Sequence, residues 1–135
     1  MTSVRQFTRA LCLVLASLML SAFASPAGDF SGTYKLGAAM AAGQDVQLTI
    51  TLSIANNTSS SVSNASIALH EPSSAHVIYG QVDGLSLPAG ARTQVSGSFT
   101  VPQGLYDSWQ KGSSPAMSVS FTDAKGNPVR TFIEF

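Results

Sequence analysis

Residues 44–55 read QDVQLTITLSIA, and apolar and polar side chains alternate along this segment without a break. Successive side chains of a β-strand point to opposite faces, so this pattern gives one apolar and one polar face. The many β-branched residues also favour a strand. We therefore predict a half-buried strand here, with the later segments folding over its apolar face. Its inward residues are Val46, Leu48, Ile50, Leu52 and Ile54.

Six further segments alternate in a similar way or are bounded by clusters of turn-forming residues. The first is expected to be an edge strand with a kink at Gly32, and Gly97 is expected to face inward, where a neighbouring bulky side chain needs room. Gly37–Gly43 is interpreted as a loop, because seven residues are too few to form a stable helix alone. The six additional predicted strands are residues 29–36, 62–70, 77–82, 91–101, 116–122 and 129–135.

One short helical turn is predicted between the fifth and sixth of these seven strands. Leu105, Tyr106 and Trp109 have helical spacing, and Gly112 is well placed to end the turn. We interpret Trp109 as part of a plug for one end of the sandwich. The alternative is that Tyr106 and Trp109 form an exposed partner-binding surface, because exposed aromatic side chains mark such surfaces.

About seven short strands without a long amphipathic helix predict an all-β fold, namely an antiparallel β-sandwich. Seven strands in this length resemble an immunoglobulin-like or fibronectin type III-like domain. The chain departs from antibody domains, because it lacks a cysteine pair and Trp109 lies in the connection before the sixth strand. The resemblance therefore implies only the architecture. An open barrel or a jelly roll is the alternative.

The first 24 residues have the layout of a secretory signal peptide. Arg5 and Arg9 precede the apolar run Ala10–Leu20, and small residues at Ala22 and Ala24 follow it. Cleavage is expected after Ala24, which leaves residues 25–135 as a single β-sandwich domain that is secreted or periplasmic. No membrane span is expected after cleavage, since no later run is long and apolar enough.

The composition after residue 24 excludes cysteine-based sites and argues against nucleic-acid binding. The sole cysteine, Cys12, lies in the signal peptide, so the mature chain has no disulfide and no thiolate site. Five basic residues stand against seven acidic ones and are scattered, which argues against a nucleic-acid partner.

The nearest approach to a metal site is His70 with Glu71 and His76. Their spacing matches no zinc motif, and we interpret both histidines as solvent-exposed loop residues. The many serines include no nucleophile-elbow sequence. We therefore expect no cofactor and no enzymatic activity.

These features predict an exported, non-enzymatic module with a binding or structural role in the cell envelope or outside it. Its partner would be an unidentified protein or surface ligand, and its oligomeric state is open. The alternative is a subunit of a surface or pilus-type assembly joined by strand exchange. A weaker alternative is a periplasmic metal-binding protein.

Overall fold

A computed structural model describes residues 28–135, and the predicted signal peptide lies outside these residues. Strands dominate this part of the chain, and a short helix interrupts them once. In chain order the elements are β1 (Phe30–Leu36), β2 (Met40–Ala42), β3 (Asp45–Asn56), β4 (Val62–Glu71), β5 (Ser74–Leu87), β6 (Arg92–Pro102), α1 (Gln103–Gln110), β7 (Ala116–Thr122) and β8 (Pro128–Phe132).

The strands form two antiparallel sheets of four strands each. In the first sheet β3 is central, with β6 along one edge and both β1 and β2 along the other. In the second sheet the order is β5-β4-β7-β8. The predicted all-β sandwich is therefore confirmed, with eight strands in the described residues rather than about seven.

The additional strand is β2, which lies within the segment predicted to be a loop. It pairs with the beginning of β3, where Met40 is opposite Gln47 and Ala42 is opposite Asp45. Gly43 forms the tight connection between the two strands with a φ of +67°, a backbone conformation that residues other than glycine rarely adopt. All three residues of β2 are exposed, so no alternation of burial marks this strand in the sequence.

The core lies between the two sheets, and the register predicted for β3 is confirmed. Its five inward aliphatic side chains are buried, whereas Gln47 and Thr49 are exposed on the outer face. The second sheet covers them with a set of equally buried side chains. These are Val62, Ala65, Ile67, Leu69, Leu87, Met117 and Val119.

Two glycines permit close approaches that any side chain would prevent. A Cβ atom at Gly32 would lie 2.0 Å from the carbonyl oxygen of Ser53, so β1 can pair with β3 only with glycine here. A Cβ atom at Gly97 would lie 2.7 Å from Val82 and 2.9 Å from the ring of Phe99. This confirms that Gly97 leaves room for bulky neighbours.

Strand β5 is longer than the sequence indicated. The predicted strand at residues 77–82 is the middle of a 14-residue strand. The pairing of β4 with β5 shifts register several times, and Gly84 takes a φ of +68°. Such bulges break the period of two, which is why the alternation of β5 was not visible in the sequence.

The predicted helical turn is the eight-residue helix α1, which is about two turns long. It follows β6 directly and contacts β6 and β3. Gly112, with a φ of +111°, lies just beyond its end, as predicted.

The last predicted strand, residues 129–135, is only partly correct. Strand β8 ends at Phe132, and Ile133 then donates its backbone N–H to Met117 O at 2.8 Å. Glu134 crosses to the other sheet. There its N–H donates to the carbonyl of Phe30 at 3.0 Å, and its carbonyl accepts from the N–H of Gly32 at 2.9 Å. Ile133 is buried but Phe135 is exposed, so the expected common face ends here.

In the part of the chain that the structure describes, no helix is both long and apolar enough to span a membrane.

Candidate functional site

Three connections lie together at one end of the sandwich, which we call the loop end. They are the β3–β4 loop (57–61), the β5–β6 loop (88–91) and the β7–β8 loop (123–127). Asn56 joins the first two, because its N–H donates to Ala91 O at 3.0 Å and its carbonyl accepts from Gly90 N at 2.8 Å. Loops at the ends of a sandwich are common positions for binding residues.

The side chain of Asn56 holds the β3–β4 loop in one shape. It is almost completely buried, and its Nδ2 donates to Leu87 O at 2.9 Å and to Ser60 O at 3.0 Å. Its Oδ1 accepts from the backbone N–H and the hydroxyl of Thr58, at 3.0 and 2.6 Å. Both N–H groups and both lone pairs of the amide are therefore used within the fold.

The β7–β8 loop is fixed by Asp123. Its Oδ1 accepts the backbone N–H groups of Lys125 and Asn127, each at 2.9 Å. Gly126, with a φ of +84°, donates its N–H to the Asp123 carbonyl at 3.0 Å. This is a tight turn of the kind that aspartate and glycine favour. The turn places Lys125 at the exposed tip of the loop.

Between these two loops lies a cleft of about 680 Å³, which we call the loop-end cleft. This volume is within the usual range for ligand sites, ~300–1,000 Å³. Its lining combines hydroxyl, apolar and charged side chains. They are Thr58, Ser60, Ser61, Val62, Ser63, Phe121, Thr122, Asp123, Ala124, Lys125 and Val129.

A second cleft of about 370 Å³, the side cleft, adjoins the first. The two clefts share Phe121, Thr122 and Val129. The side cleft adds the hydroxyls of Ser66 and Ser120 and the guanidinium of Arg130. In total it is lined by Asn64, Ser66, Ser120, Phe121, Thr122, Pro128, Val129 and Arg130.

Asp83 lies beside the side cleft. Its Oδ1 accepts hydrogen bonds from Gln81 Nε2 at 2.5 Å and from Ser66 Oγ at 2.7 Å. The bond from Gln81 makes the larger contribution and the bond from Ser66 the smaller one, and together they lower the pKa of Asp83 below its ordinary value. The carboxylate is thus ionised at neutral pH, and one of its oxygens is engaged by the protein itself.

The interpretation of His70 as an exposed loop residue is wrong. His70 lies in β4 and is 1% exposed. Its Nδ1 is 2.7 Å from Ala75 O, its Nε2 is 2.6 Å from Ser118 Oγ, and its ring contacts Phe132 at a centroid distance of 5.2 Å. It faces outward, but Phe132 reaches it from β8 because the intervening residue of β7, Ser118, is small.

The contact between Ser118 and His70 has the distance of a nucleophile and its base. Ser118 is 0% exposed, however, so a substrate cannot reach its hydroxyl in this structure. Both ring nitrogens of His70 are occupied by protein partners, which leaves no lone pair directed at a metal ion.

His76, the other candidate metal ligand, is exposed on β5, within a strand rather than in a loop. Between residues 28 and 135 no group of three or more potential ligands could hold a metal ion.

Helix α1 contains the predicted aromatic pair. Trp109 is buried at 4% exposure and belongs to the hydrophobic core, and Tyr106 is half-buried against that core. The position of Trp109 agrees with the structural interpretation. A partner-binding role for Tyr106 and Trp109 stays a prediction.

Sequence reasoning did not find the loop end as a site. It interpreted residues 56–61, NNTSSS, and 123–128, DAKGNP, as separate turns. The dense hydroxyl groups of the first were a visible signal. That this loop lies across a cleft from the other depends on the pairing of distant strands.

Comparison with known proteins adds no family to this picture. No family model matches the chain, and a search of curated proteins gave no significant match.

Proposed function

We propose that this chain is an exported, non-enzymatic binding module of the immunoglobulin-like or fibronectin type III-like kind. It acts in the cell envelope or outside it, and its ligand site is the loop end. One observation carries this proposal: a cleft lies between two loops that the fold already holds by hydrogen bonds.

The strand order supports the immunoglobulin-like assignment. Consecutive strands β3 and β4 lie in different sheets, β6 returns to pair with β3, and β7 returns to pair with β4. A chain that passes repeatedly from one sheet to the other, with its loops at the two ends of the sandwich, is typical of immunoglobulin-like domains. In variable domains, several loops at one end form the binding surface.

The fixed loops support a binding role. Ordering a flexible loop on ligand binding costs free energy, and a loop held beforehand avoids that cost. Asn56 and Asp123 hold their loops through side-chain bonds to three backbone N–H groups and two backbone carbonyls.

Export is supported by the order of charged, apolar and small residues before Ala24. N-terminal sequencing of the protein recovered from the exported fraction is expected to begin at Ser25. Recovery of protein that still begins at Met1 would contradict export by cleavage.

Binding is tested with fluorescently labelled protein, produced from the full chain, and isolated envelopes of the producing cell. Ser60→Leu places a bulky, uncharged side chain at the cleft, and the Ser60 hydroxyl makes no hydrogen bond within residues 28–135 that would be lost. The matched control is Thr100→Leu, an exposed position on the opposite sheet. Saturable binding that Ser60→Leu lowers about tenfold, with Thr100→Leu unchanged, is expected. Equal binding by both variants, or no saturable binding, would overturn the proposal.

The assembly-subunit alternative has one observation in its favour. The segment after β8 bonds to the outer edge of β1, so the same edge could accept the terminal segment of another copy. Sedimentation over a range of concentrations tests this. Strand exchange would be favoured over a monomeric module if the measured mass rises with concentration. The variant that lacks residues 133–135 should then keep the mass of a monomer at every concentration.

A further inference from the structure

We propose that the ligand of the loop end is a linear acidic oligosaccharide that extends across the loop-end cleft into the side cleft. This inference rests on the proposed binding function and assigns the ligand class. It is carried by three features of the joined clefts: an ordered aromatic ring, hydroxyl groups of both clefts, and one cation in each.

The aromatic feature is Phe121, which lines the loop-end cleft and whose ring lies on the core side of β7. Its ring is half-buried and rests edge-on against Phe30, at a centroid distance of 6.1 Å and an interplanar angle of 66°. The face of an aromatic ring is electronegative, so it attracts the polarised C–H groups on one face of a sugar ring. Val129 lies opposite Phe121 in the β7–β8 pair and extends the apolar surface.

The hydroxyl groups match the other face of a sugar. Each serine or threonine hydroxyl can donate one hydrogen bond and accept two, as a sugar hydroxyl can. Thr58 and Ser61 are already engaged, since Thr58 bonds to Asn56 and Ser61 accepts from Ala89 N. The hydroxyls of Ser60, Ser63, Ser120 and Thr122 line the clefts without such roles in the loops.

The charges favour an acidic sugar. Lys125 lines the loop-end cleft and Arg130 the side cleft. The guanidinium of Arg130 lies 6.0 Å from the ring centroid of Phe132, and guanidinium groups bind carboxylates through two parallel hydrogen bonds. Asp123 and Asp83 carry the opposing charge, but each directs one carboxylate oxygen into bonds with the protein itself.

The extent of the site favours a chain of several sugars. Because the clefts share Phe121, Thr122 and Val129, they adjoin where β7 ends and β8 begins, and a ligand that contacts both cations extends along this part of the hairpin. A single sugar ring would fill only part of the larger cleft, whose volume is about 680 Å³.

The test titrates the protein from the full chain with two acidic probes, oligogalacturonate and oligomannuronate, and with the neutral oligosaccharide cellohexaose. Binding of at least one acidic probe, weakening as salt is added, is expected, with little binding of cellohexaose. Lys125→Gln and Arg130→Gln should each weaken binding about tenfold or more, since tenfold is the lower end of what one hydrogen bond to a charged group contributes. The control Lys35→Gln, in β1 of the other sheet, should bind normally.

The two proposals can fail separately. If neither acidic probe binds, or if cellohexaose binds equally well, while Ser60→Leu still lowers envelope binding, the ligand class is wrong and the binding function stands. If neither acidic probe binds and Ser60→Leu also has no effect on envelope binding, both are overturned. Binding that Lys125→Gln and Arg130→Gln leave unchanged would place the sugar elsewhere and overturn the inference.

Discussion

Nε2 of His70 lies 2.6 Å from the hydroxyl oxygen of Ser118, and both residues are buried although they lie on the outward side of the second sheet. The other ring nitrogen faces the carbonyl of Ala75, which can only accept a hydrogen bond. A neutral ring therefore carries its proton on Nδ1, and the Ser118 hydroxyl donates to Nε2.

Ser118→Ala is the first prediction. It leaves Nε2 of His70 buried without a donor, and an unsatisfied buried polar group costs ~1–3 kcal/mol. Urea unfolding should show a loss of this size. The control Ser120→Ala changes a half-buried serine of the same strand whose hydroxyl makes no hydrogen bond within residues 28–135, and it should stay within about 0.5 kcal/mol of the parent. Equal losses would contradict the buried pair.

Asn56→Ala should loosen the loop end. The change leaves the carbonyl of Leu87 and the N–H of Thr58 without their side-chain partner, and leaves the carbonyl of Ser60 with the Thr58 hydroxyl alone. A loss of ~1–3 kcal/mol in unfolding free energy is expected. Hydrogen exchange at Thr58 and Ser60 should accelerate more than exchange in the centre of β3. Ser59→Ala, at an exposed position of the same loop, serves as the control, and loops equally protected in both variants would contradict the role of Asn56.

The pair of Glu71 and Tyr79 should make stability depend on pH. The Tyr79 hydroxyl donates to Glu71 Oε2 at 2.6 Å, and this bond is the main reason that the pKa of Glu71 is lowered from its ordinary 4.5. A carboxyl with a lowered pKa in the folded state stabilises the fold above pH 4.5, and this contribution is lost as the pH falls below that value.

Tyr79→Phe should therefore reduce the loss of stability on acidification, measured by urea unfolding from neutral pH to about pH 3. The control is Tyr106→Phe, which removes a hydroxyl that forms no hydrogen bond in the part of the chain that the structure describes. An acid dependence that both variants share with the parent would show that the hydrogen bond to Glu71 contributes nothing.

Ile50→Ala and Thr51→Ala compare the two faces of β3. Ile50 is completely buried, so its truncation should cost ~2–5 kcal/mol. Thr51 faces outward and loses only a partly exposed contact with Ser96 at 3.1 Å, so its cost should be below about 1 kcal/mol. Similar losses for the two variants in a denaturant melt would contradict the register of this strand.

Two substitutions of Trp109 should destabilise the fold to different extents. Its indole is buried, and Nε1 has no hydrogen-bond partner among the described residues. Trp109→Ala should cost ~3–5 kcal/mol. Trp109→Phe keeps most of the apolar volume and removes an Nε1–H that has no partner among the described residues, so it should cost clearly less. The parent indole should show blue-shifted fluorescence that resists aqueous quenchers, and free quenching would instead favour an exposed binding surface.

Local patterns in the sequence determined most of the strands. Alternation of side chains in β3 and β6 depends only on neighbours along the chain, so it predicted which residues of these strands are buried. The glycine at position 97 and the helix before Gly112 were likewise predictable from local chemistry.

Tertiary structure decided the features that join distant segments. Strand β2 exists because β3 has a free edge beside it, and β5 is continuous because bulges accommodate its extra residues against β4. His70 is buried because Phe132, 62 positions later, covers it. The loop-end cleft requires residues 58–63 and 121–129 to meet. Such contacts form only after the sheets pair. The periodicity of a single segment shows which face of its strand a residue occupies. It does not show which other segment lies opposite that face.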